Sequence, residues 1–230
     1  MPDFSIENQY KNKLIIGCDE VGRGCLAGPV LSAIAMVSID AFNQEEILQI
    51  QDSKLLSKKQ REKTFKIIKE KIANKKIFIS FSMVENSIID KINILEATKL
   101  SMLNAYQNFC CQTKIYPNIM LVDGNFKPFS LRDNLEEIKP IIKGDQISIS
   151  IATASIIAKE TRDNIMKDYH IKFPQFDWKN NMGYATKNHL QALKESGFSY
   201  LHRISFEPIK SISNDIKAKY LPNDNNRSKK

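Results

Sequence analysis

Two acids stand side by side at Asp19-Glu20, inside Gly17-Cys-Asp-Glu-Val-Gly-Arg-Gly-Cys-Leu-Ala-Gly28, a segment that holds four of the chain's eight glycines. Asp123 closes the apolar run Asn118-Ile-Met-Leu-Val-Asp123 and precedes Gly124, and Asp145 follows Lys143-Gly144. Carboxylates brought together repel one another unless a cation lies between them. Oxygen ligands alone suit a hard divalent ion, Mg²⁺ or Mn²⁺, and not zinc. The chemistry on offer is metal-assisted hydrolysis, in which bound water is acidified and charge on a leaving oxygen is steadied. Strand-end Asp residues are also common turn formers, so Asp123 and Asp145 taken singly fit either role.

The glycines invite a dinucleotide reading, which fails on two grounds. That fingerprint needs a helix directly after the glycines, whereas Pro29 and a strand-like run follow here. Asp19 and Glu20 would also face a pyrophosphate with no compensating charge.

Positioning these acids requires strands that end near one another. Leu14–Asp19, Pro29–Val37, Ile77–Val84, Asn118–Asp123 and Pro140–Lys143 read as five strands. Helical signals fall among them. Ser57-Lys-Lys-Gln60 is a capping box opening a helix with Phe65, Ile68 and Ile72 on one face, and Asn93-Ile-Leu-Glu96 looks like a second box. Ile151–Lys167 reads as a small-residue helix able to pack close to a sheet, and Thr186 caps a helix that stops at Gly197. Interleaved strands and helices indicate an α/β fold. The first two strands have no helix between them, so they pair antiparallel and the sheet is mixed.

With these pieces in place, the sequence resembles the ribonuclease HII (type 2 ribonuclease H) family. The opening motif Gly17–Val30 is followed in family order by Asp52-Ser-Lys-Leu-Leu-Ser57, Asn93-Ile-Leu-Glu-Ala-Thr98 and Val122-Asp-Gly-Asn125. Lys143-Gly-Asp145, Ala154-Ser-Ile-Ile-Ala-Lys159, Thr161-Arg-Asp163, Gly183-Tyr-Ala-Thr186 and His202-Arg-Ile-Ser-Phe206 complete the set. Cys25 departs from the family's usual Pro. The resemblance implies a ribonuclease H-like fold: a five-stranded mixed sheet flanked by helices, with a C-terminal helical extension. It implies cleavage of the RNA strand of RNA–DNA hybrids and nicking 5′ of single ribonucleotides in duplex DNA, leaving 5′-phosphate and 3′-hydroxyl ends. Asp19, Glu20, Asp123 and Asp145 carry over as catalytic metal ligands for Mn²⁺ or Mg²⁺. Gly22, Arg23, Gly24 and Tyr184 carry over as sensors of the ribose 2′-hydroxyl, the group that distinguishes RNA from DNA. Ser53 and Lys54 carry over as phosphate contacts. Judged without the family, Tyr184 reads as a half-buried packing residue. Asp163 rivals Asp145 as fourth acid, though an Arg162–Asp163 structural ion pair is the reading preferred. His202 is either a satisfied structural group or near the site, while His170 and His189 read as surface or packing residues.

Charge is unevenly spread. The net charge is +8, and Lys54–Lys76, with ten basic and two acidic residues, is itself +8. This run is either a solvated helix face or a phosphate-binding one. Residues 13–208 read as one catalytic domain, and 209–230 as a basic polar tail that is partly disordered. The longest apolar run, Val30–Val37, falls short of the roughly 18 residues that span a membrane, and no signal peptide is visible. The four cysteines, with no C-x-x-C spacing, read as small hydrophobes in a reduced, cytoplasmic chain acting as a monomer. Two rivals remain: another nuclease or recombinase on the same fold, and a non-catalytic nucleic-acid-binding module.

Overall fold

The structure is a computed structural model that describes residues 1–50 and 57–211. Ser53, Lys54 and the tail beyond residue 211 lie outside the described residues, and so do the readings made on them. Five strands form one mixed sheet: β1 (Ile15–Val21), β2 (Val30–Val37), β3 (Ile77–Val84), β4 (Ile119–Asp123) and β5 (Glu137–Ile141), in the order β3-β2-β1-β4-β5. β1, β2 and β3 pair antiparallel, and β1, β4 and β5 pair parallel. The C-terminal ends of β1 and β4 therefore share one edge.

The described residues hold six α-helices: α1 (Gln44–Ile47), α2 (Lys58–Ala73), α3 (Asn86–Thr113), α4 (Ile149–Lys172), α5 (Trp178–Asn181) and α6 (Lys187–Ser196). The period-2 alternation of strand side chains sorts the core into two layers. Leu31, Ala33 and Ala35 pack with Ile68 of α2 and with Ile149, Ala152 and Ile156 of α4. Ile16, Cys18, Ile34, Met120 and Val122 pack on the other face against Met102, Ala105, Tyr106 and Phe109 of α3. The small residues of α4 let it lie hard against β1. A Cβ on Gly17 would sit 2.2 Å from the Ser150 carbonyl carbon.

Behind that contact, Glu7 Oε1 accepts from the Ser148 hydroxyl at 2.6 Å and the Ser150 N–H at 3.0 Å. A carboxylate there satisfies a free amide and complements the helix dipole of α4. At the far end of α4, a third cluster joins Met166 to Phe176, Trp178, Leu193, Phe198 and Leu201, and to Leu26 and Ala27 of the β1–β2 loop. The C-terminal helical extension thus packs on the glycine-rich segment. Among the described residues, no helix is long and apolar enough to cross a membrane.

Three local expectations are corrected. β1 does not stop at Asp19 but runs on to Val21. β5 spans Glu137–Ile141 instead of Pro140–Lys143, because Lys143 takes a left-handed backbone with φ +56° that ends the extended run. α3 starts well before Asn93, whose φ of +67° kinks it. The Asn93 side chain accepts from the Leu95 and Glu96 N–H groups, restarting the helix, while Glu96 turns to Lys99 and leaves the box half made.

Candidate active site

The site is built at the shared edge of β1 and β4. Cys18 pairs with Val122, so the next residues along, Asp19 and Asp123, are neighbours on adjacent strands. Both sit on the α4 side of the sheet, since Cys18 and Val122 belong to the α3 side. Asp19 is 4% exposed, accepts the Glu20 N–H at 2.7 Å and is hydrogen-bonded by the Ser155 hydroxyl of α4. Burial, then the charges of Glu20 and Asp123, hold its carboxyl well above the usual carboxylate range. Asp123 Oδ1 accepts the Gly144 N–H at 2.7 Å, which binds β4 to the short 3-10 turn Gly144–Gln146. That turn carries Asp145, also buried. Asp19 thus lies within electrostatic reach of both Glu20 and Asp123, with Asp145 one residue from an amide that touches Asp123.

Among the described residues, no three His, Cys, Asp or Glu side chains are drawn close enough to hold an ion as they stand. The pleat of β1 explains this. Because the strand continues through Val21, Glu20 points to the opposite face from Asp19. There its partner in register, Ser32, bonds to Ser101 of α3. Glu20 Oε1 is instead held by Arg23 at 3.2 Å. The donor set is all oxygen, and the repulsion felt by Asp19 is what a cation relieves, so these residues fit Mg²⁺ or Mn²⁺.

The loop after β1 holds three of the four sensor candidates, Gly22, Arg23 and Gly24. Gly22 has φ +92°, and a Cβ there would lie 2.3 Å from Arg162 Nε, so conformation and space both demand glycine. Gly24 differs: nothing lies within 4 Å of its would-be Cβ, so the fold itself does not require glycine there. Arg23 is exposed, with its guanidinium 5.8 Å from the Phe126 ring centre. Tyr184 is 41% exposed, with its hydroxyl beside the buried Cys25 thiol. Burial of that end and the adjoining thiol push the phenol up to about 12, so it stays protonated. Ser53 and Lys54 cannot be placed with them, being outside the described residues.

Other readings change. Arg162 and Asp163 do not pair with each other. Asp163 takes Arg61 of α2 at 2.9 Å and Lys159 at 2.7 Å, and Glu160 takes Arg61 at 2.5 Å. Asp163 therefore ties the start of α2 to α4. His202 and His189 are buried and structural. His202 Nδ1 accepts from the Ser199 N–H, so its proton lies on Nε2, facing His189 Nε2 at 3.0 Å. His189 Nδ1 then donates to the Tyr184 carbonyl at 2.8 Å. Of the cysteines, all free, Cys18, Cys25 and Cys110 are buried and Cys111 is exposed.

Two residues around the site carried no functional reading in the sequence, Ser155 and Arg203. Arg162 was read only as an ion-pair partner. Arg162 had a signal: it lies four residues after Ala158 on the buried stripe of an otherwise small-residue helix.

Residues 16–209 match the family model described as Ribonuclease HII. A Ribonuclease HII from Rickettsia bellii is 46% identical over 201 residues, covering 87% of this chain and 93% of that protein. The ribonuclease H2 of Pyrococcus horikoshii OT3 superposes with a TM-score of 0.66 at 23% identity, over 88% of this chain and 98% of the other. Bst-RNase HIII, in a complex with Mn²⁺, gives a TM-score of 0.68 at 18% identity, over 91% of this chain and 72% of the other. At such identities the two structures speak for the fold, and the family model and the Rickettsia relative speak for the family. The chain belongs to the ribonuclease HII family and is a hydrolase of the ribonuclease H class.

Proposed function

We propose that this enzyme cleaves the RNA strand of RNA–DNA hybrids and nicks duplex DNA on the 5′ side of a single embedded ribonucleotide, leaving 5′-phosphate and 3′-hydroxyl ends. The observation that carries the reading is Asp19, whose burial, and then the charges of Glu20 and Asp123, hold its carboxyl well above the usual carboxylate range. Asp19, Glu20, Asp123 and Asp145 would hold Mg²⁺ or Mn²⁺. When bound, that ion supplies acidified water and stabilises charge at the leaving oxygen.

The chain's own residues do the rest. Ser155 and the Glu20 N–H orient Asp19, and the Gly144 N–H orients Asp123, so two ligands are set before any ion arrives. Arg23 holds Glu20 at 3.2 Å; with Glu20 turned to the ion, that guanidinium would be free to meet a phosphate. The open space at Gly24 lets a sugar approach the backbone, and Tyr184 offers a protonated hydroxyl from the facing turn. Ser53 and Lys54, together with the basic face of α2, are assigned to the phosphate backbone. We place the enzyme in the cytoplasm as a monomer.

The test is a duplex carrying one ribonucleotide, incubated with Mn²⁺ or Mg²⁺ and then with chelator. Nicking 5′ of the ribonucleotide that stops with chelator, and is lost in Asp19→Asn, is the expected result. No metal-dependent nick, or equal cutting of an all-DNA duplex, would overturn the proposal.

A further inference from the structure

The Gly22–Pro29 loop hangs from two buried guanidinium groups, and both reach it from far along the chain. Arg203, beyond α6, donates to the carbonyls of Gly22 at 2.7 Å, Arg23 at 2.9 Å and Gly28 at 2.9 and 3.0 Å. Arg162, in α4, donates to the carbonyls of Ala27 at 3.1 Å, Pro29 at 2.9 Å and Met182 at 2.9 Å. Both side chains are fully buried, and every one of these acceptors is a backbone carbonyl.

Burying a cation against neutral oxygens is expensive and survives only where its hydrogen bonds are well made. The planar fork of arginine supplies donors in fixed directions, so it fixes the orientation of each peptide it holds. In a trans peptide the N–H points opposite to the C=O. With the Gly22 and Arg23 carbonyls turned in to Arg203, the N–H groups of Arg23 and Gly24 point outward. Both residues are exposed, and within the described residues neither N–H has an intramolecular acceptor. Arg162 does a second job. Its bond to Met182 joins the loop to the turn that carries Tyr184, and a Leu26 N–H to Gly183 carbonyl bond at 2.8 Å reinforces the joint.

We propose that Arg162 and Arg203 are positioning residues for ribose selection. Their buried clamp fixes the outward amides of Arg23 and Gly24 at a set distance and tilt from Tyr184, so that a single 2′-hydroxyl can be read in one register. This rests on the reading of that loop and Tyr184 as the ribose sensor. In a long hybrid every nucleotide carries a 2′-hydroxyl, so a displaced loop still meets one in some register. In a duplex with one ribonucleotide it does not. Loss of the clamp must therefore fall mainly on the second substrate.

Arg162→Lys and Arg203→Lys keep the charge and lose the fork. Each is assayed in Mn²⁺ for kcat/KM on a single-ribonucleotide duplex and on a long RNA–DNA hybrid, with melting temperature and Mn²⁺ binding measured alongside. The expected loss is about 100-fold on the single-ribonucleotide duplex, as for a misplacement near 1 Å, and about tenfold smaller on the hybrid. Equal losses on the two substrates, or none, would refute the clamp's role in selection.

If a lysine variant does not fold, Phe206→Leu serves. Its ring centre lies 5.0 Å from the Arg203 guanidinium, so the change loosens the clamp and leaves its donors in place. A fall of about threefold in the ratio of the two kcat/KM values supports the proposal, because the lost cation–π contact is a weak one, and an unchanged ratio refutes it. Wild-type enzyme that fails to nick the single-ribonucleotide duplex removes the sensor reading and this inference with it. Wild-type enzyme that nicks, with variants that keep its substrate ratio, removes this inference alone.

Discussion

Gly17→Ala adds one methyl group two residues before Asp19, and its effect follows from where that carbon must go. The new Cβ would lie 2.2 Å from the Ser150 carbonyl carbon, 2.3 Å from the Ile151 nitrogen and 2.5 Å from the Ser150 oxygen, all backbone of the first turn of α4. Ordinary contact begins at 3.4 Å, so β1 and α4 must part by at least 3.4 − 2.2 = 1.2 Å. That turn has little freedom to retreat, because Glu7 holds its Ser150 N–H and the Asp3 carbonyl holds the Ile149 N–H at 3.0 Å. Overpacking of this kind costs about 1–3 kcal/mol. At about 2–4 °C per kcal/mol for a chain of this size, the melting temperature falls by about 2–12 °C. The chemistry suffers more. Asp19 rides on β1 and its orienting Ser155 rides on α4, so the same displacement separates a ligand from its partner, a loss of about 100-fold in kcat. Differential scanning without metal and steady-state nicking kinetics measure the two effects. Gly24→Ala is the contrast, since no atom lies within 4 Å of its would-be Cβ, and its melting temperature should match wild type. A Gly17→Ala enzyme that melts and cuts like wild type would show that β1 is not seated on α4 as described.

Acid should weaken the fold through His202, whose proton affinity burial and then His189 push down to about 3. Its contribution is complete above the unfolded value near 6.5 and is lost as pH falls, about 2 kcal/mol by pH 5. Melting curves from pH 7 to 5 should show this loss, and a slope no shallower in His202→Asn would count against it. Arg61→Met strips the cation shared by Glu160 and Asp163 and should cost about 3–5 kcal/mol, read by denaturant unfolding. A loss below about 1 kcal/mol would mean that the cluster behaves like an exposed ion pair. Mn²⁺ should raise the melting temperature of wild type by mass action and leave Asp19→Asn almost unmoved, and equal shifts would place the ion elsewhere. If the exposed face of α2 tracks phosphates, replacing Lys63 and Lys66 by Ala should flatten the plot of log affinity against log salt by about 0.9 per lysine, and an unaltered slope makes that face a solvated one.

Much of this architecture was readable in the chain because its causes are local. β2, β3 and β4 show as compact apolar runs, and Ser57 and Thr186 each cap the helix expected of them, since a cap needs only residues three apart. The first part of α3 was hidden because Asn93 starts a helix while lying inside a longer one, which a capping signal cannot distinguish from a true beginning. β5 alternates one buried Ile138 with polar Glu137 and Lys139, too little pattern for an edge strand. The candidate acids stand out in the sequence beside their glycines, but the direction of Glu20 does not, because it depends on β1 persisting two residues beyond Asp19. The arginines that hold the loop had still less to show. Their acceptors are backbone carbonyls, which every sequence offers, and Arg203 meets Gly22 across 181 positions.

That separation also orders events in time. A ribosome adds about 5–20 residues each second, so Arg203 arrives about 9–35 s after Gly28, which it binds across 175 positions. Through the first part of that interval nothing holds the loop; Arg162 then reaches the Ala27 and Pro29 carbonyls, but those of Gly22, Arg23 and Gly28 wait for Arg203. Competence to recognise a sugar is then gained late, with the last of the two arginines, after the sheet that holds the acids can already have formed.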